Sequence, residues 1–275
     1  MSTPVPTVFV SHGSPMHALR AGATGRAWSE LAMRIGRPRA ILVVSAHWET
    51  ALPMVSSAAM PETIHDFSGF PQELSRLRYA APGAPDLAQR ALALLAGGGL
   101  AASANGCRGL DHGAWVPLRY MYPDADVPVT QLSIQTALGG PHHLRVGRLL
   151  APLAGEDVLV LGSGHMTHNL GEWIQALRSG RAAPTLEPML GPAATYVDAF
   201  RGFVGDALRQ HDDVALAEWR ERAPAAARAH PTEEHFLPLL VAYGAAGANP
   251  AVERVFDAVD SAVLAMDAYL FTPSA

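Results

Sequence analysis

Four short apolar runs, rich in β-branched residues and separated by stretches of helical pattern, constrain this chain more than any other feature. They cover residues 7–10, 40–44, 127–134 and 157–161. Near-continuous apolarity without alternation is what a strand needs when helices cover both faces of its sheet, the usual setting of parallel strands. Between the runs, 24–35 reads as a helix ending at Gly36 with Pro38 just beyond, and 85–95 opens on Pro85 and stops at Gly97-Gly98-Gly99. A third helix, 141–153, follows Gly139-Gly140 and ends near Gly155. The C-terminal third adds helical patterns at 195–209, 214–222 and 231–243. The last of these opens on Pro231 with Glu233 and Glu234 in its first turn, where acids suit the helix dipole. Residues 263–271 fit helix or strand on pattern alone. Alternating strands and helices predict an α/β fold with a central, mostly parallel or mixed sheet and helices on both faces. With no repeat, low-complexity tract or linker, one domain over residues 1–275 is the expectation.

Composition narrows the classes of function. Net charge is −5, and no Lys/Arg block or aromatic-interleaved basic stripe occurs, which argues against a nucleic-acid partner. A single cysteine, Cys107, excludes an intramolecular disulfide and a cysteine-held zinc, and fits a reducing cytoplasm. The first residues lack a basic segment followed by a long apolar run, so no signal peptide is expected. No stretch reaches ~18 uninterrupted apolar residues, so no membrane span is expected either.

Twelve histidines stand out. Three of the four apolar runs pass through small residues into one: Val8-Phe-Val-Ser-His12, Leu42-Val-Val-Ser-Ala-His47, and Leu159-Val-Leu-Gly-Ser-Gly-His165-Met-Thr-His168. In a parallel sheet the carboxyl ends of the strands share one edge, and ligands bind in the crevice there. One histidine after a strand is most often a loop residue or a satisfied buried imidazole; three strands ending alike point to a shared metal site. His112, in the glycine-flanked loop Gly109-Leu-Asp-His112-Gly-Ala-Trp115, has the residue type of a general acid–base group at neutral pH, although an ordinary turn would read the same. His235 is placed in the first turn of the 231–243 helix, either facing the crevice or capping the helix. His65 lies in an aromatic loop with Phe67 and Phe70, lining a pocket or covering the core. His142 and His143 are expected to be solvated; His17 and His211 carry no signal.

At these residues the sequence resembles a known family. Ser11-His-Gly-Ser-Pro-Met16, Ser45-Ala-His-Trp48, Ile64-His-Asp-Phe67 with Gly69-Phe-Pro71, and Asp111-His-Gly-Ala-Trp115 are similar to motifs of the 4,5-DOPA extradiol dioxygenases. His168-Asn-Leu170 and Pro231-Thr-Glu-Glu-His-Phe-Leu-Pro238 extend the match, in order, from about residue 8 to 240. This family belongs to the class III extradiol ring-cleavage dioxygenases. The resemblance implies a single-domain α/β fold with a strand for the final segment. It also implies His12, His47 and His168 or His235 as ligands of one divalent metal, giving the four-histidine set His12, His47, His168 and His235. His112 matches the family's acid–base histidine, while His65, Asp111, Ser14 and His165 would surround substrate and metal. Ferrous iron is expected for ring cleavage, with zinc seen in this place in members of the branch.

Many class III enzymes hold iron with two histidines and a glutamate, as non-haem Fe(II) oxygenases do. Here no acid sits where a strand end would deliver it, and Glu233 and Glu234 are the nearest, so an all-imidazole site is expected. Neutral ligands leave the full charge on the metal, favouring an anionic catecholate. The expected reaction inserts both atoms of O2 into a DOPA-like catechol to give a muconate semialdehyde, with His112 moving the substrate proton. A zinc-dependent hydrolase with Asp111, Glu233 or Glu234 as base, and a non-catalytic metal-binding interaction protein of the same fold, are the rival readings. Catechol and O2 are the expected partners, and a homodimer is left open.

Overall fold

The structure, a computed structural model, describes residues 4–178 and 190–274; residues 1–3, part of the N-terminal stretch read above, lie outside them. Its strands are β1 (Thr7–Ser11), β2 (Ala40–Glu49), β3 (Met54–Ser56), β4 (Ser103–Asn105), β5 (Val129–Ile134), β6 (Val158–Gly164), β7 (Ala251–Phe256), β8 (Val259–Asp260), β9 (Leu264–Ala265) and β10 (Ala268–Thr272). The helices are α1 (Gly22–Ile35), α2 (Gln72–Arg76), α3 (Pro85–Gly97), α4 (His112–Met121), α5 (Gly139–Leu150), α6 (Leu170–Arg178), α7 (Thr195–Gln210), α8 (Asp213–Ala217), α9 (Trp219–Arg222), α10 (Ala226–Ala229) and α11 (Leu237–Ala245).

The four apolar runs became β1, β2, β5 and β6, neighbours at the centre of one sheet ordered β4-β3-β5-β2-β6-β1-β10-β7. All three pairings among these four are parallel, with Val8 opposite Leu161 and Ile41 opposite both Leu159 and Val129. Both faces are buried, as their composition requires. Val8, Val10, Ile41, Val43, Leu159 and Leu161 pack with Trp28 and Leu31 of α1 and Trp115 and Leu118 of α4. Phe9, Leu42, Val44, Val158 and Val160 join Leu144 of α5, Phe200 of α7 and Leu240 of α11 on the other face. The flanks make the sheet mixed: β3 runs antiparallel to β5, and β10 runs antiparallel to both β1 and β7. The final segment is therefore a strand, as the resemblance implied, preceded by the small β8–β9 hairpin.

Several expectations are corrected. The helix read over 231–243 begins only at Leu237; 231–236 form bends and turns, so His235 precedes the helix. Its apolar face is what the periodicity detected; the polar residues before Phe236 spend their hydrogen bonds locally instead. The 214–222 helix breaks at Glu218 into α8 and α9. His112 lies on the first helical position of α4, not in a loop, because Asp111 caps the helix by accepting from Ala114 N at 3.2 Å. His143 is buried rather than solvated: its Nδ1 lies 2.7 Å from the Gly139 carbonyl, and its Nε2 accepts from Gln135 N at 3.1 Å. His142 is half-buried beside the Gln135 side chain. No helix among the described residues is long and apolar enough to cross a membrane.

Candidate active site

The carboxyl ends of β1, β2 and β6 open onto one pocket of about 300 Å³. Six imidazoles line it: His12 after β1, His47 near the end of β2, His112 at the start of α4, His165 and His168 after β6, and His235 from the turn before α11. The last can come so close because β6 ends in glycines. A Cβ on Gly162 would stand 2.3 Å from the Pro238 carbonyl oxygen, and one on Gly164 only 2.1 Å from that of His235. Instead His165 N donates to the His235 carbonyl at 2.8 Å, tying the turn to the strand end.

The hydrogen-bond network assigns the ring hydrogens. His12 Nδ1 lies 3.0 Å from Ser163 Oγ, and that hydroxyl donates to the Gly113 carbonyl. The serine has only one hydrogen, so Nδ1 must donate and Nε2 keeps its lone pair. His235 Nδ1 faces Glu234 Oε1 at 2.9 Å, which leaves Nε2 as the lone pair; that atom is buried and has no hydrogen-bond partner. His47 turns Nδ1 toward Asp66 Oδ2 at 3.7 Å and sets Nε2 3.0 Å from His12 Nε2. The ligand atoms of His12, His47 and His235 all lie within 4.8 Å of one another. Two nitrogens bound at right angles about 2.1 Å from one ion stand about 3 Å apart, so the His12–His47 spacing matches donors sharing a cation. The donor set, two buried imidazoles and a half-buried third, with the lone pair of His235 Nε2 orphaned, fits a divalent metal.

Electrostatics keep these rings neutral. Burial, then the neighbouring imidazoles, holds His12 and His235 well below the ordinary histidine range. Burial and then His112 lower His47 to about 4, against the raising effect of Asp111 and Asp66. His168 is lowered to about 3, by burial and then by His230, His47 and His112. Metal binding needs neutral imidazole, so none of these rings would have to lose a proton first at neutral pH.

His168 stands apart from the three converging rings. It stacks on His235 with centroids 3.4 Å apart and planes 17° from parallel, and it groups with Glu234 and His235 rather than with His12 and His47. His165 is buried against His12, centroids 5.3 Å apart, with Nδ1 unpartnered. Ser14 lines the pocket, with Oγ accepting from Met16 N at 3.3 Å. Two residues expected to bind substrate or to back the site do not line the pocket. His65 points away from the pocket, 3.1 Å from the Leu77 carbonyl through Nε2, and packs behind Phe67 and against Trp115. Asp111 is fully buried behind the site, accepting from Ser45 Oγ at 2.6 Å, Arg108 at 2.6 Å and Gln131 at 2.8 Å. As an acid with its oxygens saturated by donors, it anchors α4 and cannot reach a ligand.

Asp66 had no role in the sequence reading. Its Oδ1 accepts from both the backbone N–H and Nδ1 of His112, each at 3.0 Å. Burial raises its carboxyl, but the hydrogen bonds and charge of His112, with His47, outweigh this and hold it at about 2. Its place in the Ile64–Phe67 motif was the only available signal. The rest of the pocket lining is mostly apolar, with Pro15, Phe67, Phe70, Leu170, Trp173 and Leu264.

This geometry, a histidine cluster at the carboxyl edge of a mixed α/β sheet in a pocket that aromatic residues also line, defines a metal-dependent enzyme of small aromatic molecules. A family model described as the catalytic LigB subunit of aromatic ring-opening dioxygenase matches residues 2–271, and the chain belongs to that family. It is 41% identical to a 4,5-DOPA dioxygenase extradiol of Beta vulgaris, over 97% of this chain and 96% of that protein. It is 40% identical to the protein of the same name from Escherichia coli K12, over 89% of this chain and 86% of that one. A crystal structure of the uncharacterized protein JW3007 from Escherichia coli K12 superposes with a TM-score of 0.76 at 31% identity, covering 97% of this chain and 99% of that one.

Proposed function

We propose that this chain is an extradiol ring-cleaving dioxygenase that opens a catechol of the DOPA type to a muconate semialdehyde, with His12, His47 and His235 holding one divalent metal. The observation carrying this reading is the convergence of three neutral imidazoles beside a fourth, His112, in a pocket whose remaining lining is mostly apolar. Its relatives' names support the reaction class and substrate type. When bound, the metal supplies charge that acidifies the catechol hydroxyls and coordination positions for catechol and O2. Ferrous iron is the ion proposed for ring cleavage, and zinc the one these imidazoles would equally retain. Phe67, Phe70, Leu170, Trp173 and Leu264 would clasp the flat ring and exclude water. His112, with Nδ1 tied back to Asp66, presents Nε2 to take a hydroxyl proton and return it as the ring opens; such a group contributes roughly 10²–10⁴-fold. His168, stacked on His235, completes the histidine lining and is assigned to holding that ligand.

The hydrolase reading needs a carboxylate in the pocket. Asp111 is sealed, Glu233 pairs with Arg220 at 3.8 Å, and Glu234 lies behind His235. A cytoplasmic location, one domain, and a monomer or homodimer remain part of the proposal. Anaerobic loading with Fe(II), then air and a panel of catechols, tests it: a yellow semialdehyde should appear with O2 consumed one for one. Retained metal with no product from any catechol overturns it.

A further inference from the structure

We infer that Asp66 is the positioning residue of this site: its Oδ1 fixes the tautomer of His112. The inference rests on the acid–base reading of His112 and extends it to a residue outside the histidine cluster.

The argument begins with donors and acceptors. Asp66 Oδ1 receives the His112 backbone N–H at 3.0 Å, and a backbone N–H only donates. The same oxygen lies 3.0 Å from His112 Nδ1. An ionised carboxylate has no hydrogen to give, so Nδ1 must bring its own, and Nε2 is left with the lone pair. An isolated histidine side chain in water prefers the opposite arrangement, with the hydrogen on Nε2, where it could take no proton from a substrate. Asp66 therefore selects the reactive form. It also sits at the N-terminus of α4, where the first N–H groups lack helical partners and negative charge is favoured. The other oxygen, Oδ2, lies 3.7 Å from His47 Nδ1, beyond hydrogen-bond distance, so the carboxylate accepts from His112 alone, whose ring centroid is 4.0 Å from that of His47.

The loop bearing Asp66 has no regular secondary structure but is held on both sides. Ile64 N donates to the Leu110 carbonyl at 2.7 Å, and Trp115 Nε1 donates to the Ile64 carbonyl at 3.0 Å. Both partners flank or belong to α4, so the carboxylate and His112 move as one body. When His112 takes the hydroxyl proton on Nε2 it becomes an imidazolium, and the adjacent carboxylate balances that charge until the proton is returned. No electrons are exchanged in this step.

The test uses the full chain with Asp66→Ala and Asp66→Asn; the amide keeps an acceptor for both His112 hydrogens, so it separates loss of charge from loss of fold. Long-range ¹H–¹⁵N spectra of the metal-free protein, with the His112 signals identified by their loss in His112→Ala, should show hydrogen on Nδ1 in the wild type and in Asp66→Asn. In Asp66→Ala the hydrogen should move substantially to Nε2. At saturating Fe(II), kcat should fall about 10²-fold in Asp66→Ala with KM little changed, less in Asp66→Asn, and not further when Asp66→Ala is added to His112→Ala. An Nδ1–H tautomer that survives in Asp66→Ala, or a full kcat loss that persists in the His112→Ala background, overturns the inference. Wild-type turnover in His112→Ala would instead refute the acid–base reading, and the tautomer measurement would still decide the role of Asp66.

Discussion

Adding one methyl group at Gly164 tests whether close approach of the β6 end positions His235. The new Cβ would stand 2.1 Å from the His235 carbonyl oxygen, 3.0 Å from its carbonyl carbon and 3.3 Å from Pro238 Cγ. Ordinary contact between such atoms is about 3.5 Å, so the turn must retreat by roughly 1 Å. It cannot roll toward its neighbour on the same face, because Gly162 already sits beneath the Pro238 carbonyl. The retreat strains the His165 N to His235 carbonyl hydrogen bond of 2.8 Å, which is worth about 1 kcal/mol. Overpacking itself costs about 1–3 kcal/mol. With His235 as a ligand, as proposed, a displacement of about 1 Å puts it out of productive range, so affinity should drop on the order of 10²-fold. Gly164→Ala is therefore expected to lose about 2–4 kcal/mol in urea unfolding and to bind Zn(II) far more weakly in chelator competition. Gly202→Ala is the control: it lies on the exposed face of α7, its Cβ meets nothing within 4 Å, and it should leave binding unchanged. A folded Gly164→Ala with wild-type stability and affinity would refute the argument that this contact sets the His235 position.

His112→Ala should retain metal and lose turnover by roughly 10²–10⁴-fold; unchanged turnover at full metal occupancy would remove it from the mechanism. Asp111→Ala strips the shared acceptor from Ser45, Arg108 and Gln131 in a fully buried position, and should cost about 3–5 kcal/mol in urea unfolding, with less than about 1 kcal/mol refuting its anchoring role. His143 and His230, outside the cluster, are each held at about 4 chiefly by burial, against an ordinary value of 6.5. The unfolded chain thus binds more protons between these values, so their contribution to stability is present above 6.5 and is lost as pH falls toward about 4. His143→Gln should flatten the fall in stability over that window, and an unchanged slope would contradict the burial argument.

The four central strands could be read directly because burial on both faces leaves an unbroken apolar run, a signal that needs no knowledge of partners. Where such runs end in Ser-His or Ser-Ala-His, the fold class puts the histidines at one edge. The edge strands were not legible: β4 is Ser-Ala-Asn, and β7 carries Glu253 and Arg254, since an exposed edge has little apolar pattern to show. His235 was misplaced by a turn because Pro231, Glu233 and Glu234 imitate a helix start that the chain does not use.

The sequence by itself determined an α/β sheet, a cluster of histidines at its carboxyl edge, and the family. Only the tertiary structure decided which imidazoles meet and which group orients them. From sequence His168 was as good a ligand as His235, yet the glycines of β6 admit the His235 turn, and His168 stacks on its ring beside the three converging imidazoles. Asp66 and His112 lie 46 residues apart with no shared periodicity, and their contact exists only because the loop and α4 are tied together. Periodicity records which side of an element is buried. The meeting of atoms at 3 Å depends on many long-range contacts, each too weakly marked in the chain to be read alone.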